Sequence, residues 1–212
     1  MLAPLARLPK LETLAVRESE FVVGGAFAAL RVCRSLRRLD ASRNPMLDDP
    51  AMVNIAKVKG LRELRVDGSA VSANGLRELL QLKNLEVLSV ANCSQLRATD
   101  LAALAAAPKL RDLDASLLEL GEHAGRALAT LTSLRVLRLE DTALGDDDVA
   151  ALGALSKLEE LHLAGCFAIT DAVEPHLAKM KGLKVLDLGG TKVTFSGVRR
   201  LSKALPSCDI RQ

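Results

Sequence analysis

Eight hexads of the form Leu-x-x-Leu-x-apolar recur at a nearly fixed interval, and no other feature limits the folds open to this chain as strongly. They begin at Leu11, Leu36, Leu61, Leu85, Leu110, Leu134, Leu158 and Leu183, in steps of 24 or 25 residues. Within a hexad the fourth and sixth residues share one face of a strand, and the third and fifth share the other. At the ninth position stand Ser19, Asn44, Ser69, Cys93, Leu118, Thr142, Cys166 and Thr191. Seven of these are small and can hydrogen-bond, which suits a turn whose backbone groups are buried without ladder partners. Leu118 breaks the column, so that turn is expected to differ locally. An apolar residue follows in every unit: Val22, Leu47, Val71, Leu96, Leu120, Leu144, Ile169 and Val193. The shorter units place it at position 11 and the longer ones at position 12, which accounts for the one-residue difference in length.

The rest of each unit has helical spacing. Val173, Leu177 and Met180 lie on one helix face, and the same face continues in Leu79/Leu82, Leu104/Ala107, Leu128/Leu131 and Leu152/Leu155. Ser72, Thr99-Asp100, Asp146 to Asp148, Thr170-Asp171 and Thr194 to Ser196 precede the helices and can accept from their first free amides. Lys57, Lys59, Lys83, Lys109, Lys157, Lys179 and Lys181 gather near helix ends, where cations sit favourably. A strand, a turn and a helix in about 24 residues cannot bury two apolar sides alone, so the units must stack. The expected fold is α/β, a right-handed solenoid in one domain over residues 1–212. Partial units stand at both ends. Leu2, Leu5 and Leu8 read as a helix whose strand is absent, and 206–212 reads as a ninth strand with Ile210 in the second Leu position. Neither end carries an evident polar capping unit, so a segment of a longer solenoid is expected.

Composition narrows the function. Half of the 212 residues are hydrophobic (49%), enough for a sizeable core, yet Trp and Tyr are absent and only four Phe occur. The core is therefore aliphatic, and the aromatic platforms that stack single-stranded bases are missing. A net charge of +3 gives no bulk drive toward nucleic acid or anionic lipid. Of the four cysteines, Cys93 and Cys166 occupy equivalent positions three units apart, about 14 Å by strand spacing and too far to bridge. Free buried thiols fit a reducing, cytoplasmic setting. The longest apolar run, Phe21 to Leu30, is far below the ~20 residues of a membrane span, and no secretory signal is evident.

At Leu158 to Leu183, LEELHLAGCFAITDAVEPHLAKMKGL, the chain resembles the cysteine-containing leucine-rich repeat, a ribonuclease-inhibitor-like pattern of approximately LxxLxLxxCxxITDxxLxxLAxxCxxL. The resemblance is also good over Leu85 to Leu110 and covers nearly the whole chain more loosely. It implies a horseshoe with parallel strands on the concave face and short helices on the convex face. It also implies protein binding: such repeats are frequent in F-box substrate receptors of ubiquitin ligases, although no F-box segment is visible here. An architectural role within a larger assembly is a third reading.

If the strand face is the functional surface, positions 3, 5, 7 and 8 of each unit form it. On that face five arginines (Arg17, Arg38, Arg43, Arg65 and Arg138) meet ten acids (Glu18, Asp40, Glu63, Asp67, Asp112, Asp114, Glu140, Asp141, Glu160 and Asp187). The face carries −5 on a chain of +3, with the acids dominant from Asp112 onward. The expected contact residues for a protein partner of basic character are Arg65, Asp112, Asp114, Arg138, Glu140, Asp141, Glu160, His162 and Asp187. Arg65 and Arg138 are the expected energetic anchors, since no Trp or Tyr competes for that role. A solvated, internally paired strand face is the competing reading. His162 should lie between Arg138 and Asp187, with Glu140 and Glu160 nearby. A lone His among carboxylates is a weak metal or acid–base signal, and no nucleophile stands beside it. No GxGxxG after a strand, no P-loop and no HExxH occur, and Gly189-Gly190 reads as a tight turn. No enzyme activity, cofactor, metal, small-molecule substrate, nucleic acid or membrane is expected.

Overall fold

A computed structural model describes residues 4, 5, 8, 10–19 and 24–212; the expectations on Leu2 and Val22 lie outside the described residues. The chain forms two compact units, residues 1–96 with 106–110, and residues 97–105 with 111–212. In the first unit the strands are β1 (Thr13–Ala15), β2 (Arg38–Asp40), β3 (Glu63–Arg65) and β4 (Val87–Ser89). They pair in parallel and in chain order, with Leu14, Leu39, Leu64 and Leu88 in register. The second unit holds β5 (Asp112–Asp114), β6 (Val136–Arg138), β7 (Glu160–His162), β8 (Val185–Asp187) and β9 (Asp209–Arg211). These are also parallel and in order, and Ile210 pairs with Leu186 in the slot expected for it. Each of β1 to β8 is the middle of a hexad.

Among the described residues a 3-10 helix (Gly24–Val32) follows β1, and seven short α-helices return the chain after β2 to β8: α1 (Asp49–Ile55), α2 (Ala73–Glu78), α3 (Ala98–Leu101), α4 (Ala124–Leu128), α5 (Asp146–Leu152), α6 (Glu174–Leu177) and α7 (Phe195–Ala204). The fourth- and sixth-position Leu, Val and Ala of β2 to β8 are buried, as are the helix-face leucines and the residues from Leu47 to Val193 at position 11 or 12. Each buried Leu contributes about 1.5–3 kcal/mol by leaving water. Two parallel apolar layers, strand side and helix side, thus close on each other within every repeat.

The turn after each strand is more uniform than its sequence. Position 8 is left-handed in all eight repeats: Glu18, Arg43, Gly68, Asn92, Leu117, Asp141, Gly165 and Gly190 have φ between 53° and 75°. The expected local difference near Leu118 appears just beyond it: among the described residues, only this repeat adds two further left-handed residues, Gly121 (φ 82°) and His123 (φ 56°). Leu117 turns at φ 60° like its counterparts, and Leu118 fills the column with a buried apolar side chain. Elsewhere the column is polar and bonded. The Asn44 amide donates to the carbonyls of Val16 (2.6 Å) and Ala41 (2.8 Å), and its Oδ1 accepts from Ser19 N–H (2.9 Å). Thr142 Oγ1 donates to Leu139 O (2.7 Å), which also accepts from Cys166 Sγ (3.2 Å), and Cys93 Sγ donates to Val66 O (3.3 Å). The four thiols are free.

Helix entry is stitched from repeat to repeat. Ser72, Thr170 and Thr194 cap through their hydroxyls, as expected. At α3 and α5 the cap is a carboxylate three residues in, Asp100 accepting from Arg97 N–H and Asp148 from Gly145 N–H. In addition, an acid near the start of one helix accepts from the cap of the next: Asp49 from Ser72, Asp146 from Thr170, and Asp171 from Thr194, each through both N–H and hydroxyl. Lys59, Lys83 and Lys181 donate to carbonyls at or near helix ends, Ala56, Leu80 and Ala204.

Candidate protein-interaction face

The strand face differs between the two units. In the first, four arginines face four acids, and most are paired. Arg17 holds Asp40 (2.5 Å), Arg43 holds Glu18 (2.6 Å), and Glu63 accepts from Arg65 (2.9 Å) with Arg38 nearby (3.6 Å). Asp67 accepts from the hydroxyls of Ser42 (3.1 Å) and Ser89. Arg65, one of the expected contact residues, is thus exposed but tied to its own strand.

In the second unit the balance fails. With β9 included, Asp112, Asp114, Glu140, Asp141, Glu160, Asp187 and Asp209 are opposed by Arg138 and Arg211, so the whole −5 of the face falls here. Arg138 is bound to Asp112 at 2.5 Å and is 32% exposed, which draws it toward its β5 side; Arg211, in register beside Asp187, is bound to Asp209 at 2.9 Å. The strand register places Asp114 beside Arg138, Arg138 beside His162 and His162 beside Asp187, as the repeat alignment implies. Asp114 Oδ1 accepts from Ser116 N–H and Asp187 Oδ1 from Gly189 N–H, which fixes both carboxylates at the strand ends. Asp141 occupies the left-handed turn position and is exposed.

His162 is more enclosed than Asp112, Arg138, Glu140 or Glu160, its side chain 13% exposed. Its Nδ1 lies 3.7 Å from Glu140 Oε1, and its Nε2 lies 3.5 Å from Glu160 Oε2. Nε2 is buried and has no hydrogen-bond partner. Position 7, read as fully outward from the sequence, is mixed: Ser42 and Ser116 are buried, 8% and 6% exposed, because they serve the backbone and neighbouring carboxylates. The Ser116 hydroxyl accepting from Glu140 N–H (3.1 Å) was not legible, since it depends on a serine turning inward at a nominally outward site.

No helix among the described residues is long and apolar enough to cross a membrane.

Repeat register, parallel strands and a helical return in every repeat define a leucine-rich-repeat protein. A family profile described as "Leucine Rich repeat" matches residues 130–153. A Trypanosoma equiperdum protein named "Putative adenylate cyclase regulatory protein" is 32% identical over 165 residues, 78% of this chain; the chain spans 25% of the length of that relative. Among solved structures, an internalin from Listeria monocytogenes superposes over 100% of this chain and 57% of its own, at 21% identity and a TM-score of 0.74. Internalin C2 from the same organism covers 93% of this chain and 80% of its own, at 20% identity and a TM-score of 0.67.

Proposed function

We propose that this chain is a non-catalytic binding module whose second-unit strand face holds a protein or peptide of basic character. One observation carries the reading: seven carboxylates face two arginines there, Arg138 and Arg211, and both are already paired, with Asp112 and Asp209. Among the described residues, Asp114, Glu140, Asp141 and Asp187 have no Lys or Arg partner within an ion-pair distance. Clustered like charge on a rigid surface raises the local concentration of an oppositely charged ligand and speeds its capture. The regulatory role in the trypanosome relative's name fits a module that acts by binding.

Titration of a labelled basic peptide, followed by fluorescence anisotropy, tests the proposal. Binding should weaken steeply with added salt and should be lost in the variant carrying Asp114→Lys, Glu140→Lys and Asp141→Lys. Undiminished binding by that variant would sink the assignment. Reversal of Glu18 and Asp67 in the first unit serves as control and should leave binding intact.

A further inference from the structure

The same face holds three side chains whose arrangement exceeds what charge attraction needs. Glu140, His162 and Asp187 come from three successive repeats, and one ligand atom of each lies within 4.8 Å of the others. The backbone beneath them is fixed: Leu139 N–H donates to His162 O (3.0 Å), Leu163 N–H to Asp187 O (2.8 Å), and Glu140 N–H to the Ser116 hydroxyl. Their separations are informative. At 3.7 Å and 3.5 Å, His162 is too far from Glu140 and Glu160 for a hydrogen bond. Two ligands bound to one ion at 2.0–2.2 Å in tetrahedral geometry stand about 3.4 Å apart. Glu140 Oε1 stands off Nδ1 by nearly that distance. Nε2 of the same ring is buried without a hydrogen-bond partner, so no competing bond holds the imidazole in another orientation.

We infer that Glu140, His162 and Asp187 form a binding site for a divalent first-row transition ion of the Zn2+ type. His162 Nδ1, on the Glu140 side, is the imidazole ligand. Asp187 contributes Oδ2, because Oδ1 is taken by Gly189 N–H. Nε2–H faces Glu160 at 3.5 Å, and a small movement on metal binding would bring that carboxylate into the supporting position behind the ring. Arg138 and Arg211, although in register beside His162 and Asp187, are held by Asp112 and Asp209, and neither forms an ion pair with a proposed ligand. One imidazole with two carboxylates suits Zn2+ or Mn2+ better than Ca2+, which takes six to eight oxygens. Three protein ligands leave a coordination position open to solvent or to a group from a partner.

Isothermal titration of Zn2+ into the metal-stripped full chain tests this, in a Cys208→Ser background because Cys208 is the cysteine not fully buried. One equivalent should bind. Binding should vanish in His162→Ala and in Glu140→Gln, weaken about 10–100-fold in Glu160→Gln, and stay unchanged in Asp114→Asn. Glu140 is 40% exposed, so its variant keeps the test valid if His162→Ala unfolds. No saturable Zn2+ uptake, uptake that survives both ligand variants, or equal uptake of Ca2+ would overturn the site. The result does not depend on whether a basic partner binds, because the titration contains no peptide.

Discussion

Leu117 carries the clearest cost of the repeat geometry at the scale of one residue. It is left-handed at φ 60°, and its side chain is 54% exposed, so little burial offsets the strain. Left-handed backbone costs an L-residue roughly 1–2 kcal/mol, part of which glycine returns as entropy of the unfolded chain. Leu117→Gly should therefore stabilise the protein by about 0.5–1 kcal/mol, read as a higher urea midpoint at unchanged slope. Asn44 is the opposite case. It is fully buried and serves two carbonyls and one amide. Asn44→Ala leaves those groups unpaired and should cost about 2–3 kcal/mol in the same measurement. Cys166 and Cys93 occupy the same column as neutral donors, and burial pushes both thiols up. Thiol titration of the native protein should modify Cys208 quickly, and the other three cysteines only after denaturation.

Between elements, the decisive contacts are the ones that join successive helices. Gly125 of α4 lies so close to α5 that a Cβ there would run into the backbone of Asp148, whose carboxylate accepts from Gly125 N–H. Backbone cannot move aside cheaply, so Gly125→Ala should destabilise by at least 1–3 kcal/mol. Asp171 shows the same coupling electrostatically. Its carboxyl is held below its ordinary value by the Thr194 N–H and hydroxyl, against a smaller cost of burial and with help from Arg200. A depressed folded value means stabilisation that is present above the unfolded pKa, near 4, and is lost as pH falls through the folded one. The stability gap between wild type and Asp171→Ala should thus be widest at neutral pH and close as pH drops below about 4. These details mark where the sequence was readable. Hexads, helix faces and the hydroxyl caps follow from period and residue type, and they locate every strand from β1 to β9. The carboxylate bridges from Asp49, Asp146 and Asp171 were invisible, because an acid near a helix start reads as a cap for its own helix. The left-handed turn was hidden as well: glycine marks it in three repeats, but Glu18, Arg43, Asn92, Leu117 and Asp141 occupy it elsewhere.

For the whole molecule, charge and periodicity act together. The repeat alignment located the acid excess on the strand face. Only the structure shows that the first unit engages all four of its arginines in ion pairs while the second leaves most of its carboxylates without one, since ion pairing depends on side-chain reach and not on register. Of the expected contact residues, Arg65 falls on the neutral face and the other eight on the acidic one. Arg138, expected as an anchor, is occupied by Asp112. The repeat-to-repeat bonds have a further consequence for how the chain reaches its structure. The bridge of Asp49 to Ser72 and that of Asp171 to Thr194 both span 23 residues, that of Asp146 to Thr170 spans 24, and the Asn44 bond to Ser19 spans 25. Parallel strands usually demand distant chain partners and slow searches, but here almost every partner is one repeat away. Contacts separated by about a tenth of the chain length belong to the range of fast-folding helical proteins. Structure can therefore begin in any well-formed repeat, such as Leu158–Leu183, and grow outward one repeat at a time, each new strand finding its edge already in place.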